Sequence, residues 1–247
     1  MKIGIVGTGA IGSILAEKFS QAGHPVKVTN TRAMPELEKI AASLGAAAAT
    51  IHDVVKDVNV IIFSMPFAAY KDLPKDLLKE VPQDVVVMDT SNYYPFRDGE
   101  IAELEQMSES EYISGILNRP LVKVFNNILE HTLKHKGKVV GAEGRIAISI
   151  AGDNQEHKKV VTELVDLTGF DTVDGGSLAE SWRQQPGTPA YCTELDEAEL
   201  KQALANAEKG KAPAIRDLIM DNLSSKGSWP SYEEILAGNR KLQLGKE

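Results

Sequence analysis

Three glycines carry the plainest chemical reading in this chain: Gly7, Gly9 and Gly12, in Gly7-Thr8-Gly9-Ala10-Ile11-Gly12. Glycines cluster in turns for many reasons, so the spacing alone says little. Here an apolar run, Ile3 to Val6, precedes them. A helical pattern with Ile14, Leu15, Phe19 and Ala22 follows and is stopped by Gly23. After Pro25, Val26-Lys27-Val28-Thr29 reads as a returning parallel strand, so the βαβ unit closes within about 30 residues. In that setting Gly7 allows a tight turn, Gly9 removes the Cβ that would bar a pyrophosphate, and Gly12 lets helix and strand pack closely. Thr8, Ala10 and Ile11 complete a loop whose backbone N–H groups and helix dipole favour an anion. The stretch predicts a dinucleotide site; the bland alternative is a strand–turn–helix with no ligand.

The end of the second strand bears on which dinucleotide. A site for NAD places Asp or Glu there to accept hydrogen bonds from the ribose 2′-OH. This chain has uncharged Asn30, then Thr31 and Arg32. A hydroxyl and a guanidinium can hold a 2′-phosphate that a carboxylate would repel. NADP(H) is the expected cofactor, against the alternative that Arg32 is a solvated loop arginine.

Further strands must bring more residues to the same place. Met34 to Gly45 predicts a helix, Ala46–Thr50 a brief strand, and Ile51–Lys56 another short helix. Asn59–Ser64 and Asp84–Met88 hold the apolar runs VIIF and VVVM, as buried parallel strands require. Between them the pattern predicts a helix running through Leu77 and Leu78. Such alternation means a doubly wound parallel sheet, in which ligands sit beyond the carboxyl ends of strands at the switch point. Ser64, Met65, Pro66 and Phe67 follow one run, and Ser91 and Asn92 the next, so these are candidates around ribose and nicotinamide. The bland reading makes them ordinary strand-to-helix loops.

The middle is less regular. It predicts helices over 99–107 and 109–117, and a sixth strand over 121–126 whose Asn126 ends toward the cofactor. A seventh strand over 145–150, a helix over 154–168 opened by an Asp153/Glu156 capping box, and a strand over 171–173 closing the sheet follow. The fold expected is α/β: a Rossmann-type doubly wound, mostly parallel sheet with extra strands and a small C-terminal helical part. Residues 1–175 would form the NADP-binding domain and 176–247 a helical segment. That tail is too poor in large apolar residues to build its own core. It is expected to pack on its sheet domain or on a second subunit, in a homodimer with Trp229 and Tyr232 as anchors.

Composition bounds the remaining classes. With 247 residues, 43% hydrophobic and 25% charged, the chain is ordinary for a soluble protein. A net charge of −8 argues against nucleic acid or an anionic membrane as partner. The single cysteine, Cys192, excludes an internal disulfide. No apolar run has the length of a membrane span, and the N-terminus enters its first strand directly, so the cytoplasm is the expected location. His131 and His135 stand four apart beside Glu130, but no HExxH order supports a metal there.

The chain resembles a known family in IGIVGTGAIGS, in AGHPV followed by Thr31-Arg32, and in VKVFN at 122–126. IAGD at 150–153 and GFDTVDGGSLAES at 169–181 extend the match, which covers roughly residues 1–195. The family is the NADPH-dependent reductases of deazaflavin coenzyme F420. The resemblance implies a Rossmann-type sheet with added strands, NADP(H) as cofactor, F420 as redox acceptor and a dimer. Residue chemistry agrees with a planar acceptor, F420 or a flavin. Reducing a carbonyl needs a positioned acid, and the switch-point loops offer no persuasive His, Lys or Tyr–Lys pair. No side chain is singled out as catalytic.

Two other readings stay open. Lys123-x-x-Asn126-Asn127 is similar to the Lys-x-x-Asn-Asn of β-hydroxyacid dehydrogenases and their imine-reducing relatives, where the lysine does acid–base work on a helix. Pro120, Val122, Val124 and Phe125 favour a strand instead, which predicts a peripheral Lys123 whose loss spares activity. A non-catalytic NADP(H) sensor acting through a protein partner is the other, since fold does not fix function.

Overall fold

The computed structural model describes residues 1–224 and 230–245 of the chain. Four short runs of branched apolar residues form the centre: β1 (Ile3–Val6), β2 (Val26–Thr29), β4 (Val60–Phe63) and β5 (Val86–Asp89). With β3 (Ala47–Ala48) and β6 (Val122–Lys123) they make a six-stranded parallel sheet in the order β3-β2-β1-β4-β5-β6. Alternate residues of β4 serve opposite faces. Val60 and Ile62 join a core with Leu15, Phe19 and Leu164, while Ile61 and Phe63 join one with Val54, Phe67 and Tyr70. Both faces are thus covered, as parallel sheets require. The strand order reverses between β1 and β4, which puts a crevice beyond their carboxyl ends.

Helices α1 (Ala10–Gln21) and α2 (Met34–Ser43) follow β1 and β2. The helix expected at 51–56 is a run of turns. The one expected through Leu78 is a 3₁₀ segment, Phe67–Asp72, followed by turns. Pro74 explains the stop, because it forces Leu73 into extended backbone (ψ 144°). Past β5 come the short α3 (Pro95–Asp98), a 3₁₀ turn at Ala102–Glu105 in place of the helix expected over 99–107, and α4 (Glu109–Leu117). Strand six is shorter than expected. Phe125 adopts φ +57°, which no strand residue can, so the chain leaves the sheet after Lys123 and Val124.

After α5 (Glu130–His135), a second parallel pair forms from β7 (Ala147–Ile150) and β8 (Asp171–Asp174), crossed by α6 (Gln155–Leu167). These strands do not close the main sheet as expected. They join it through one antiparallel bridge, Lys123 to Ala151. The cap of α6 is Asn154, whose Oδ1 accepts from the N–H groups of Glu156 and His157. Asp153 instead accepts from the Leu178 N–H, 3.0 Å.

The chain then passes through a 3₁₀ segment, Leu178–Gln184, into α7 (Glu197–Ala205), α8 (Ala212–Ser224) and α9 (Tyr232–Leu244). Leu200, Ala203 and Leu204 of α7 share a small core with Ala147 and Val173 of the second sheet. The tail therefore packs on its own sheet. Tyr232 stacks on His131, ring centroids 4.0 Å apart, and its hydroxyl donates to Glu194. Trp229, expected beside it as an anchor, lies outside the described residues. Among the described residues no helix is long and apolar enough to cross a membrane.

Candidate functional site

The glycine loop is built as its spacing predicts. Gly7 has φ +106°, and a Cβ there would lie 2.0 Å from the Ser64 carbonyl oxygen, so the turn after β1 presses on the end of β4. A Cβ on Gly12 would meet the Gly7 carbonyl at 2.1 Å. Gly9 differs from both: among the described residues nothing lies within 4 Å of the place its Cβ would take. No protein atom described requires glycine there, whereas a closely approaching ligand would. Gly9 also caps α1 without a side-chain acceptor, and the first turn carries no acidic residue. The opening N–H groups and the positive end of the helix, around Ala10 and Ile11, are left for an anion.

Asn30 joins this loop to the turn after β2. Its Nδ2 donates to Thr8 Oγ1, 2.7 Å, and its Oδ1 accepts from the Arg32 N–H, 2.8 Å. Thr31 and Arg32 are exposed beyond it. The Arg32 side chain is 58% exposed and paired with Glu36 one turn along α2. A phosphate arriving there would compete with a surface carboxylate that holds the arginine only weakly. Arg32→Ala is expected to weaken NADPH binding about tenfold, the cost of one charge-assisted phosphate contact. NADH binding should stay as it was, and titration of both nucleotides by fluorescence checks it. Equal NADPH affinity in variant and parent would remove Arg32 from the site.

At the ends of β4 and β5, Ser64 accepts from Thr90 Oγ1, 3.1 Å, which ties the two loops together. Met65, half-buried against the second core, and exposed Pro66 follow directly on the carboxyl end of β4. Phe67 is buried in the second core, stacked on Tyr112 at 5.8 Å. Ser91 and Asn92 are held from beneath. Asp89 Oδ1 accepts from the Tyr70 hydroxyl, 2.6 Å, and the Ser91 N–H, 2.9 Å, while Oδ2 accepts from Lys123 Nζ, 2.8 Å. Lys123 also donates to the Ser91 carbonyl.

That arrangement corrects the expectation of a peripheral Lys123. Its side chain is 2% exposed and ion-paired to a wholly buried carboxylate. Lys123 does lie on a strand, but the bridge to Ala151 covers the edge of β6, and the side chain turns inward onto Asp89 and the Ser91 carbonyl.

Asn126 and Asn92 meet, as their strand-end positions suggest. Asn126 Nδ2 donates to Asn92 Oδ1, 3.0 Å, and Asn92 Nδ2 returns a bond to the Asn126 carbonyl, 2.9 Å. Gln184 completes the group, donating to Asn126 Oδ1, 2.8 Å, and to the Ser149 carbonyl, 3.2 Å. The Asn126 amide is thereby committed inside the protein, and its effect on the crevice runs through Asn92. Tyr191 sits within 3.5 Å of Asn92 Nδ2 and shares a 2.7 Å hydrogen bond with Tyr94. Burial pushes both phenols up from their ordinary range, so they stay neutral donors. Arg97 donates to the Asn92 carbonyl, 2.7 Å, and lies over the Tyr94 ring. Sequence reasoning does not single out Gln184, Tyr191, Tyr94 or Arg97. The polar, aromatic stretch at 182–191, following the Gly175-Gly176 turn, is the available signal.

Beneath Tyr93, burial pushes the Glu109 carboxyl up to about 7, opposed by Lys123 and by the Tyr93 N–H it accepts. An unfolded glutamate releases its proton near 4.5, whereas the native one keeps it to about 7. The stability this adds is therefore full below the unfolded value and lost as pH rises through 7. Glu109→Gln is expected to be more heat-stable than the parent above about pH 7, with the gap closing by about pH 4.5. Melting curves across that range check it, and a pH-independent gap would contradict it.

A parallel sheet with a glycine-lined anion cradle, no carboxylate at the end of β2, and a crevice at the switch point define an NADP-dependent oxidoreductase of the Rossmann type. Residues 2–93 match the family model described as NADP oxidoreductase, coenzyme F420-dependent. The chain belongs to that F420-dependent NADP oxidoreductase family. It is 40% identical over 102 residues to protein YjhV of Escherichia coli (strain K12), covering 41% of this chain and 74% of that protein. The hypothetical protein SMa0349 from Sinorhizobium meliloti superposes with a TM-score of 0.66 at 27% identity, over 79% of this chain and 95% of that one. A structure from Arthrobacter sp. FB24, described as a candidate F420-dependent NADP-reductase, matches with a TM-score of 0.60. It covers 93% of this chain and 96% of its own, but at 17% identity the likeness is one of fold.

Proposed function

We propose that this protein exchanges a hydride between NADPH and a planar redox acceptor, with coenzyme F420 the leading candidate and a flavin the next. The residues fit the nucleotide: Gly9 leaves open the space that its Cβ would fill, and the start of α1 offers N–H groups with no acidic residue in its first turn. Gly7, Gly9 and Gly12 with Ala10 and Ile11 would hold the pyrophosphate, and Thr31 and Arg32 the 2′-phosphate. Bound NADPH supplies a hydride, and a planar ring accepts it by spreading the added charge. The chain's task is then to hold two rings against each other and keep water from between them. Met65, Pro66 and Asn92 border that space, and Asn126, Gln184 and Tyr191 fix how Asn92 stands.

The observation that carries this reading is the lock on Lys123. A dehydrogenase of the β-hydroxyacid type needs a lysine free for acid–base work, and here Lys123 is buried against Asp89 and the Ser91 carbonyl. An acceptor panel tests the reading: NADPH oxidation followed by absorbance with F420, flavins, quinones, ferric chelates, small carbonyls and imines. Turnover is expected with F420 or a flavin. Turnover confined to carbonyls or imines would support the dehydrogenase reading, and none with any acceptor the sensor reading.

A homodimer made through the tail belongs to the same proposal. Leu218 of α8 is 48% exposed, a large apolar side chain left half in solvent. Light scattering should give twice the chain mass, and Leu218→Glu should lower it. A monomeric parent would end this part of the proposal.

A further inference from the structure

Helix α9 directs its polar side chains onto one short segment, 192–194. Asn239, 3% exposed, donates from Nδ2 to the Cys192 carbonyl, 3.1 Å. Arg240 donates from Nε to the Thr193 carbonyl, 2.9 Å, and from Nη2 to the Glu194 carbonyl, 3.0 Å. Two neighbouring side chains thus hold three successive carbonyls. The segment needs holding. Cys192 and Glu194 have φ +55° and +52°, a region that residues other than glycine seldom occupy. Such backbone persists only where its surroundings over-determine it, and it gathers at functional sites. On its other side the segment meets the run that carries Asn126, because the Cys192 N–H donates to the Asn127 carbonyl, 3.0 Å. Tyr191 comes just before. Its hydroxyl is the one that bonds Tyr94, 2.7 Å, and lies 3.5 Å from Asn92 Nδ2.

We propose that α9 is a clamp on the dinucleotide crevice, in which Asn239 and Arg240 are positioning residues that set Tyr191 and, through it, Asn92 at the nicotinamide end. This rests on the reading of that crevice given above, with the nicotinamide toward Asn92. With a donor of α9 gone, a carbonyl of the segment loses its partner, and the left-handed residues beside it can relax to ordinary φ. Rotation at Cys192 would move the Tyr191 hydroxyl off Tyr94 and leave Asn126 to hold the Asn92 amide. The glycine loop and Arg32 take no part in this. The clamp therefore governs one end of the nucleotide and not the other.

Cys192 is the single cysteine of the chain and reports on the clamp directly: it is 3% exposed, and burial pushes its thiol up to about 12. The test follows its reaction with an aromatic disulfide in the folded, full-length protein. Beside it, the binding of NADPH is compared with that of adenosine 2′,5′-bisphosphate, which has the 2′-phosphate but no nicotinamide. Arg240→Ala should speed the thiol reaction about tenfold and weaken NADPH about tenfold, each the worth of about one hydrogen bond. Adenosine 2′,5′-bisphosphate should bind as it does to the parent, an asymmetry that a general loss of stability would not give. Arg240→Lys, which keeps a cationic donor, should restore part of both effects. Asn239→Ala should act in the same direction, and it serves if Arg240→Ala does not fold. A thiol no more reactive in these variants, NADPH affinity equal to the parent's, or parallel loss of both nucleotides would overturn the proposal. A parent that binds neither nucleotide would instead end the reading of the crevice as a dinucleotide site, and the thiol rates would still decide whether α9 holds the segment.

Discussion

Gly9→Ala is expected to leave the fold intact and nearly remove nucleotide binding. Gly9 has φ −74°, which alanine adopts without strain, and its Cβ would find nothing among the described residues within 4 Å. The added methyl enters the space where the pyrophosphate must approach α1. Overpacking of this kind costs on the order of 2–3 kcal/mol, or tens-fold to over a hundredfold in Kd. The melting temperature without nucleotide should match the parent's, while NADPH and NADH both bind far more weakly. The control is Gly7→Ala, which should damage the fold itself, since Gly7 has positive φ and its Cβ would strike the Ser64 carbonyl. NADPH binding by Gly9→Ala at parental affinity would remove the glycine loop as the cradle.

Lys123→Ala is expected to destabilise the protein more than Gly9→Ala, Arg32→Ala or Glu109→Gln. It strips the cation from Asp89, a carboxylate with no exposure, and leaves a cavity where the lysine stem lay. Breaking a buried pair from one side costs about 3–5 kcal/mol, roughly 6–20 °C in melting temperature for a chain of this size. Removing both charges, in Asp89→Asn with Lys123→Met, should recover part of the loss, because no charge is then left unpaired. Thermal melts of the parent, the single variant and the double variant check this ordering. A single Lys123→Ala variant as stable as the parent would show that the pair is not buried in solution. Turnover in Lys123→Ala has meaning only below its melting range. There, activity retained with F420 favours positioning, and activity abolished in a folded variant favours the dehydrogenase reading.

The part of the fold legible in the sequence is the part governed by local pattern. β1, α1 and β2 follow from apolar periodicity and three glycines, and β4 and β5 from unbroken aliphatic runs. Local pattern fails where one residue's backbone overrides it. Pro74 ends a helix that the apolar spacing would have carried to Leu78, and Phe125, at positive φ, takes the chain out of the sheet early. The second sheet is misplaced by sequence reasoning because pairing partners are not encoded in periodicity; β7 and β8 look like strands but do not say where they pair. The same limit applies to the site. Asn92 and Asn126 follow apolar runs that read as strands and are legible by that position, whereas Gln184 lies 58 residues beyond Asn126 and Tyr191 lies 99 beyond Asn92. Lys123 is misjudged because its partner, Asp89, sits on a neighbouring strand 34 residues away.

Direct hydride exchange between NADPH and a planar ring is tested most directly by following the hydride itself. A single turnover is run with NADPH deuterated at the transferable position of the nicotinamide, in ordinary water, with F420 in the same mixture. Mass spectrometry of the reduced acceptor then reports where the label went. Direct transfer to the deazaflavin puts the label on a ring carbon, which does not exchange it with water, so one deuterium should appear in reduced F420. Oxidised F420 left unchanged beside NADPH would remove F420 as the acceptor, and reduced F420 free of label would contradict direct exchange.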